Sequence, residues 1–299
     1  MKHSMKCRFK NVKLLLTCLG ILAVMILPGQ GYASSSTFGL ADITWDYLTF
    51  TYTDASGIPI GDVSWLDPAD PTVDTRSYFG SAWVGLNGAE TDPGLSSAIE
   101  GTWQARDPVT NEIIVAGIST SLTDTTGTVG GEGIAQPTGG ITRGAALANS
   151  TITLNSAGSA DVFIAQAAFT GQFTVPSDGF LSITAPYSLL LTANTTSPGE
   201  FAFVDGLVGL FLSDFGTGDP ISSDPRYQFL LVNDGGSDIY SDGGTLQLLN
   251  IPLSTLIVYD FEASASTVAS ATAVPEPGTL LLLATGLIGL IGLRKKFKK

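Results

Sequence analysis

The chain has 299 residues, 44% of them hydrophobic and only 14% charged, and its 14 basic against 27 acidic side chains leave a formal net charge of −13. So large an excess of acid repels phosphate backbones and anionic headgroups, which excludes nucleic acid as a partner. The two cysteines (Cys7, Cys18), the single histidine (His3) and the three methionines (Met1, Met5, Met25) all fall in the first 25 residues, so the rest of the chain holds no thiol or imidazole for Ser-His or Cys-His catalysis, for a disulfide, or for a zinc, haem or iron-sulfur site.

The N-terminus has the order of a secretory signal peptide. Lys2, Lys6, Arg8, Lys10 and Lys13 form a positive stretch, residues 14–27 are apolar, and Gly31, Tyr32 and Ala33 make a small-x-small cleavage site. Cleavage between Ala33 and Ser34 is expected, with 1–33 removed. A retained signal anchor is the competing reading, although fourteen apolar residues are short for a permanent span.

The next 241 residues, 34–274, hold only Arg76, Arg106, Arg143 and Arg226 against 26 acidic residues, a net charge of −22, and no lysine. Such a surface attracts divalent cations or cationic partners. It is equally the charge that keeps a secreted domain in solution. Helical periodicity is almost absent. Period-two alternation and β-branched or aromatic runs recur at 43–52, 112–118, 151–154, 161–175, 180–185, 187–193, 207–212, 227–232 and 256–261, with Gly, Pro, Asp and Asn between them. This pattern predicts an all-β body at 34–262, an antiparallel β-sandwich of jelly-roll-like form, built as one large or two small domains.

Three local features refine that expectation. In the 43–52 run, Ile43, Trp45 and Tyr47 share one parity and Leu48, Phe50 and Tyr52 the other, so a bulge or twist is expected near Tyr47. Pro176, Ser177, Asp178 and Gly179 have the chemistry of a turn and are expected to join their flanking runs as a hairpin. Residues 122–144, rich in Gly and Thr, read as a long loop or domain boundary, and 263–274, Ala, Ser and Thr with nothing larger than valine, as a tether.

Candidate chemistry in the body starts with its aromatics. Trp45, Trp65, Trp83 and Trp103 cluster in its first part, and flat rings of this kind stack on sugars; core and cross-strand packing uses the same residues at the same alternation. Carboxylates come next, since a glycosidase needs two of them. Glu90, Thr91 and Asp92 begin the E-x-D-x-x-E motif of one jelly-roll glycosidase family, but Leu95 stands where the second Glu belongs, and no G-x-S-x-G occurs. No enzymatic activity is therefore expected. Calcium is the one cofactor the residues suggest: Asp67, Asp70 and Asp74 crowd one Pro-rich stretch, and Asp234, Asp238 and Asp242 another among Gly235, Gly236, Gly243 and Gly244. Asp in β-turns is the plainer reading of both.

The tail, 275–299, is the most specific segment. Pro275, Glu276 and Pro277 form a turn, residues 278–293 are an uninterrupted run of small and apolar side chains, and Arg294, Lys295, Lys296, Lys298 and Lys299 end the chain in a basic cluster. As a helix the sixteen residues of 278–293 span roughly 24 Å against a hydrocarbon core of about 30 Å, a mismatch that local thinning and snorkelling of the flanking cations accommodate. The basic end stays cytoplasmic and the body lies outside. Gly286, Gly289 and Gly292 would let another helix approach closely, or reflect the ordinary tolerance of membrane helices for glycine.

Turn, short apolar helix and terminal basic cluster, in this order at the C-terminus and paired with a signal peptide, resemble the PEP-CTERM signal of Gram-negative bacteria. The resemblance covers about a tenth of the chain. It implies recognition by an exosortase-like membrane protease that cuts near Pro275, Glu276 and Pro277, transient anchoring in the inner membrane with the body in the periplasm, and final delivery to the cell surface or extracellular matrix. It further implies a structural or binding protein that accompanies exopolysaccharide. A carbohydrate-binding module and a carboxylate-based glycoside hydrolase are the alternatives left open for the body.

Overall fold

The computed structural model describes residues 34–44, 49–65, 77–91, 96–97, 116–137 and 144–274. Among these there are fourteen strands and no helix: β1 (Ser35–Thr44), β2 (Thr49–Thr53), β3 (Ser77–Leu86), β4 (Ala89–Thr91), β5 (Ser96–Ser97), β6 (Ala116–Thr123), β7 (Gly127–Pro137), β8 (Gly144–Leu154), β9 (Gly158–Phe173), β10 (Gly179–Thr195), β11 (Phe201–Asp214), β12 (Pro220–Asn233), β13 (Ser237–Leu253) and β14 (Tyr259–Ala273). Residues 1–33, with the expected signal peptide, lie outside the described residues. No helix among the described residues is long and apolar enough to cross a membrane, and the apolar run at 278–293, with the expected spanning helix, also lies outside them.

The strands form two antiparallel seven-stranded sheets. The first has the order β13-β10-β1-β8-β7-β6, and β2 follows β1 along the same edge of β10. The second runs β12-β11-β14-β9-β3-β4, with β5 also on β3. From β8 onward the chain steps back and forth: β8 and β10 belong to the first sheet, β9, β11 and β12 to the second, then β13 to the first and β14 to the second. The N-terminal strand β1 occupies the slot between β8 and β10, from Ser35 opposite Leu154 and Thr195 to Ile43 opposite Ala146 and Tyr187.

Alternation explains which face turns inward. In β10, Leu181, Ile183, Ala185, Leu189, Leu191 and Ala193 are buried while most of the residues between them are only part-covered. In β14, Phe261, Ala263 and Ala265 are followed by Thr267, Ala269, Ala271 and Ala273 on the buried face. The core between the sheets is graded. At one end Trp65 meets Phe50, Phe169, Phe173 and Phe261 edge-on at 5.1 to 6.3 Å, and Phe173 stacks on Tyr259. Such pairs add about 0.5–1.5 kcal/mol each beyond area burial. Toward the middle the lining shrinks to Ala41, Ala148, Ala167 and Ala265, and the layers close up. A Cβ on Gly133 would sit 2.0 Å from the Gln166 carbonyl oxygen of the facing sheet.

This architecture corrects several sequence expectations. The turn at Pro176, Ser177, Asp178 and Gly179 does not close a hairpin, because β9 and β10 belong to opposite sheets; it arches across the core, and the Tyr52 hydroxyl donates to the Ser177 carbonyl beneath it. Turn chemistry specifies that the chain reverses, not which sheet it enters. The described part of 122–144 is not a long loop: β7 runs through it, paired to β6 and β8, while 138–143 lie outside the described residues. In β7, Gly131 and Gly133 face the other sheet at close range. The stretch 263–274 is not a tether but most of β14, a central strand paired to β11 and β9 along its length, so the folded body extends past 262. The 43–52 run is divided between β1 and β2; Trp45 and Tyr47, where the parity change was expected, lie outside the described residues.

Candidate functional site

The two described tryptophans of the proposed sugar platform, Trp65 and Trp83, are not placed together. Trp65 packs into the aromatic end of the core, whereas Trp83 stands on the outer face of the second sheet, 37% exposed, with its ring centroid 4.6 Å from that of Phe163. Trp65 is half-buried, its ring turned among Phe rings. Trp45 and Trp103 lie outside the described residues, as do Asp67, Asp70 and Asp74.

The second aspartate group lies mostly on a strand, not on a loop. Asp238 and Asp242 belong to β13, and Asp234 precedes it. Each carboxylate has its own partners: Asp234 Oδ1 accepts from the Gly199 amide (2.7 Å), Asp238 Oδ1 from the Ile239 amide (2.8 Å), and Asp242 Oδ2 from the Tyr187 hydroxyl (2.7 Å). Among the described residues no group of three or more acidic side chains is placed to hold a metal ion. Burial, and then the hydrogen bond to Asp242, push the Tyr187 hydroxyl up to about 12, while Tyr187 holds Asp242 below the usual carboxylate range.

Exposed apolar side chains gather elsewhere. Tyr227, Phe229 and Leu231 alternate along the edge strand β12 and are 57, 52 and 51% exposed, opposite Leu207, Asp205 and Phe203 of β11. The Tyr227 hydroxyl donates to Asp205 (3.2 Å), whose carboxyl burial nonetheless holds above its ordinary value. On the neighbouring β14, burial and the Glu262 charge hold Asp260 high in the same sense.

The most organised polar cluster sits where the two ends of the body meet. Between β10 and β11 the chain turns through Thr196, Ser197, Pro198, Gly199 and Glu200, with Gly199 at a φ of +83°. The Glu200 side chain folds back, and its Oε2 accepts from the Thr196 amide (2.6 Å) and the Ser197 amide (2.8 Å). Glu200 is only 1% exposed, and its second oxygen, Oε1, is buried with no hydrogen-bond partner. Asp234 braces the arch by accepting from Gly199 and donating its own amide to the Glu200 carbonyl (3.2 Å).

Both ends of the body touch this arch. The Ser34 amide donates to Thr196 Oγ1 (3.1 Å), the Ser34 carbonyl accepts from the Thr196 amide (3.1 Å), and Ser35 Oγ donates to the Phe201 carbonyl (2.8 Å). On the other side Thr272 pairs with Phe201, and a Cβ on Gly199 would lie 3.3 Å from Val274 Cγ2. Residue 34, next to the expected cleavage at Ala33, and residue 274, the last before Pro275, thus flank one segment, 196–201. Sequence reasoning placed the two cuts but had no means of bringing them together, because the contact joins residues 162 positions apart. Glu200 was missed altogether; an acid directly after Ser-Pro-Gly is the only local trace it leaves.

Comparison with known families matches residues 273–296 to the PEP-CTERM protein-sorting motif. Comparison with curated proteins and with solved structures finds no match. The chain carries a PEP-CTERM sorting tail, the mark of an exported protein that is an exosortase substrate. The residues of that tail beyond Val274, including Pro275, Glu276, Pro277 and the cations Arg294, Lys295, Lys296, Lys298 and Lys299, lie outside the described residues, as does Ala33.

Proposed function

We propose that the chain is a non-enzymatic surface or extracellular-matrix protein of a Gram-negative bacterium, structural or binding in role and associated with exopolysaccharide. In this reading 1–33 is removed as a signal peptide, 278–293 holds the precursor in the inner membrane with the body in the periplasm, and an exosortase-like protease releases it near Pro275, Glu276 and Pro277. The observation that carries the reading is the match of 273–296 to the sorting motif, directly after a body whose last strand ends at Ala273. The winding of the body supports a jelly roll: β8 to β14 alternate between sheets except for the β11–β12 hairpin, the jelly-roll order, and β1 fills the place of the eighth strand from the N-terminal side. Both ends of the body then leave from one pole, the geometry suited to a domain held close to a membrane and cut free there.

Replacing Pro275, Glu276 and Pro277 together with alanine tests this. Proline denies the segment backbone donors and biases the preceding residue away from helix, which keeps the site open to a protease. The triple variant is expected to accumulate uncut in the inner membrane, with the fold of the body unchanged. Processing and delivery like wild type, in a host with the cognate protease, would make the tail a plain anchor.

The exposed row of Tyr227, Phe229 and Leu231 favours a second reading, carbohydrate binding by the outer face of β11 and β12. A glycan array with the exported protein is expected to give hits that the pair Tyr227→Ala and Phe229→Ala abolishes. Hits that persist in that variant would rule this face out.

A further inference from the structure

We infer that Glu200 is a socket for the new N-terminus made when the chain is cut between Ala33 and Ser34. The inference rests on the cleavage site of the proposed function. Hydrolysis adds water across that peptide bond: Ala33 leaves with a carboxylate, and Ser34 keeps the nitrogen, which near neutral pH is mostly an ammonium group because a free α-amine titrates at about 7.7–8.0.

Three observations lead to the socket. Glu200 is buried, and in the described structure its Oε1 has no partner, an arrangement costly for a carboxylate unless a donor or a positive charge completes it. The Ser34 nitrogen lies one hydroxyl away: it is 3.1 Å from Thr196 Oγ1, which is itself 3.3 Å from Glu200 Oε2. As a peptide amide that nitrogen has a single proton, already directed at Thr196. As an ammonium it has three, so cleavage adds two donors and a unit charge beside the one buried carboxylate of the arch. Among the described residues the one arginine, Arg226, is paired with Asp224 at 3.1 Å, and the body has no lysine.

Processing then does more than remove an address. It ties β1, the strand between β8 and β10, to the arch that also abuts Val274, so that the finished N-terminus locks the pole from which the sorting tail departs. The precursor, with an amide at Ser34, lacks this pairing.

The absence of lysine makes the test clean, because after loss of the tail the α-amine is the only amine in the protein. Intact mass of the exported protein first identifies its N-terminal residue. A pulse of an amine-acetylating reagent then reads the reactivity of that amine, with peptide mapping to separate any tail lysines. In folded wild type the Ser34 amine is expected to react at least tenfold more slowly than in E200Q and than in the same protein in concentrated urea. Acetylation is expected to lower the Tm of wild type and to leave that of E200Q unchanged. Should E200Q fold poorly, Thr196→Ala, which removes the bridging hydroxyl, is expected to show a partial loss of protection. A mature N-terminus other than Ser34 would overturn the cleavage reading, and the socket with it. A Ser34 amine that reacts equally fast in wild type and E200Q, or equally fast folded and in urea, would overturn the socket alone.

Discussion

Gly133 shows how little freedom single positions have where the layers close. Its added Cβ would meet Gln166 O at 2.0 Å and Ser81 O at 2.6 Å, both backbone atoms of the facing sheet, so Gly133→Ala must push the layers apart. A cost of at least about 1–3 kcal/mol is expected, read as a lower urea midpoint. Gly243→Ala is the control: its Cβ would have Tyr187 O at an ordinary 3.4 Å, and a change within about 0.5 kcal/mol is expected. Equal midpoints for the two variants would contradict the close approach. Asp124 makes a second residue-scale case. Its Oδ1 accepts from the Thr126 hydroxyl (2.5 Å) and amide (2.7 Å), and its Oδ2 from Asn87 (2.7 Å), bonds that hold its carboxyl down to about 2. A folded value below the unfolded one means stabilisation that is complete above the unfolded value and lost as pH falls through the folded one. The Tm difference between wild type and Asp124→Ala is therefore expected to shrink from about pH 4 to pH 2. A difference that stays constant would show that the carboxylate does not hold the β6–β7 turn.

At the scale of elements the decisive strand is β14. A chain stopped at Glu262 retains Tyr259 and Phe261 but loses the Ala269, Ala271 and Ala273 side of the core and the ladder partners of both β9 and β11. It is expected to lose cooperative melting, while one stopped at Val274 keeps it. A sharp, unchanged melt for the shorter chain would restore the tether reading. Why the sequence misled here is physical. Ala, Ser and Thr alternate along β14 with the right period, but Ala carries so little apolar surface that the alternation looks like linker composition. The glycines of β7 hid a strand in the same way: Gly131 faces the Val84 and Val162 side chains across the core and Gly133 the backbone of Gln166 and Ser81, contacts that no local pattern records. In β13 the first half, rich in Asp, Gly and Ser, is an exposed edge strand whose pairing to β10 and not its own hydrophobicity makes it a strand. By contrast β9, β10 and β11 bury Val, Leu and Ile at alternate positions and were legible directly, though β10 was read as two runs because Pro186 interrupts them. The sorting tail was legible because its information is linear. The Glu200 arch was not, since it is assembled from four separate segments.

For the molecule as a whole, the two sheet edges β12 and β13 lie on the same side and are stitched by Asp224, which accepts from the Gln247 amide (2.8 Å) and pairs with Arg226. The pole where β1 begins and β14 ends lies beside a single arch, which the β12–β13 turn braces through Asp234. An exported body with both ends there can be tethered by either flank without straining its fold, and two cuts suffice to free it. Intact-mass analysis of protein recovered from outside the cells, in a host with the cognate protease, reads both termini of the released protein at once. A chain that begins at Ser34 and ends within a few residues of Pro275, Glu276 and Pro277 is expected, with any attached sugar appearing as added mass. Released protein that still carries 278–299 would contradict it.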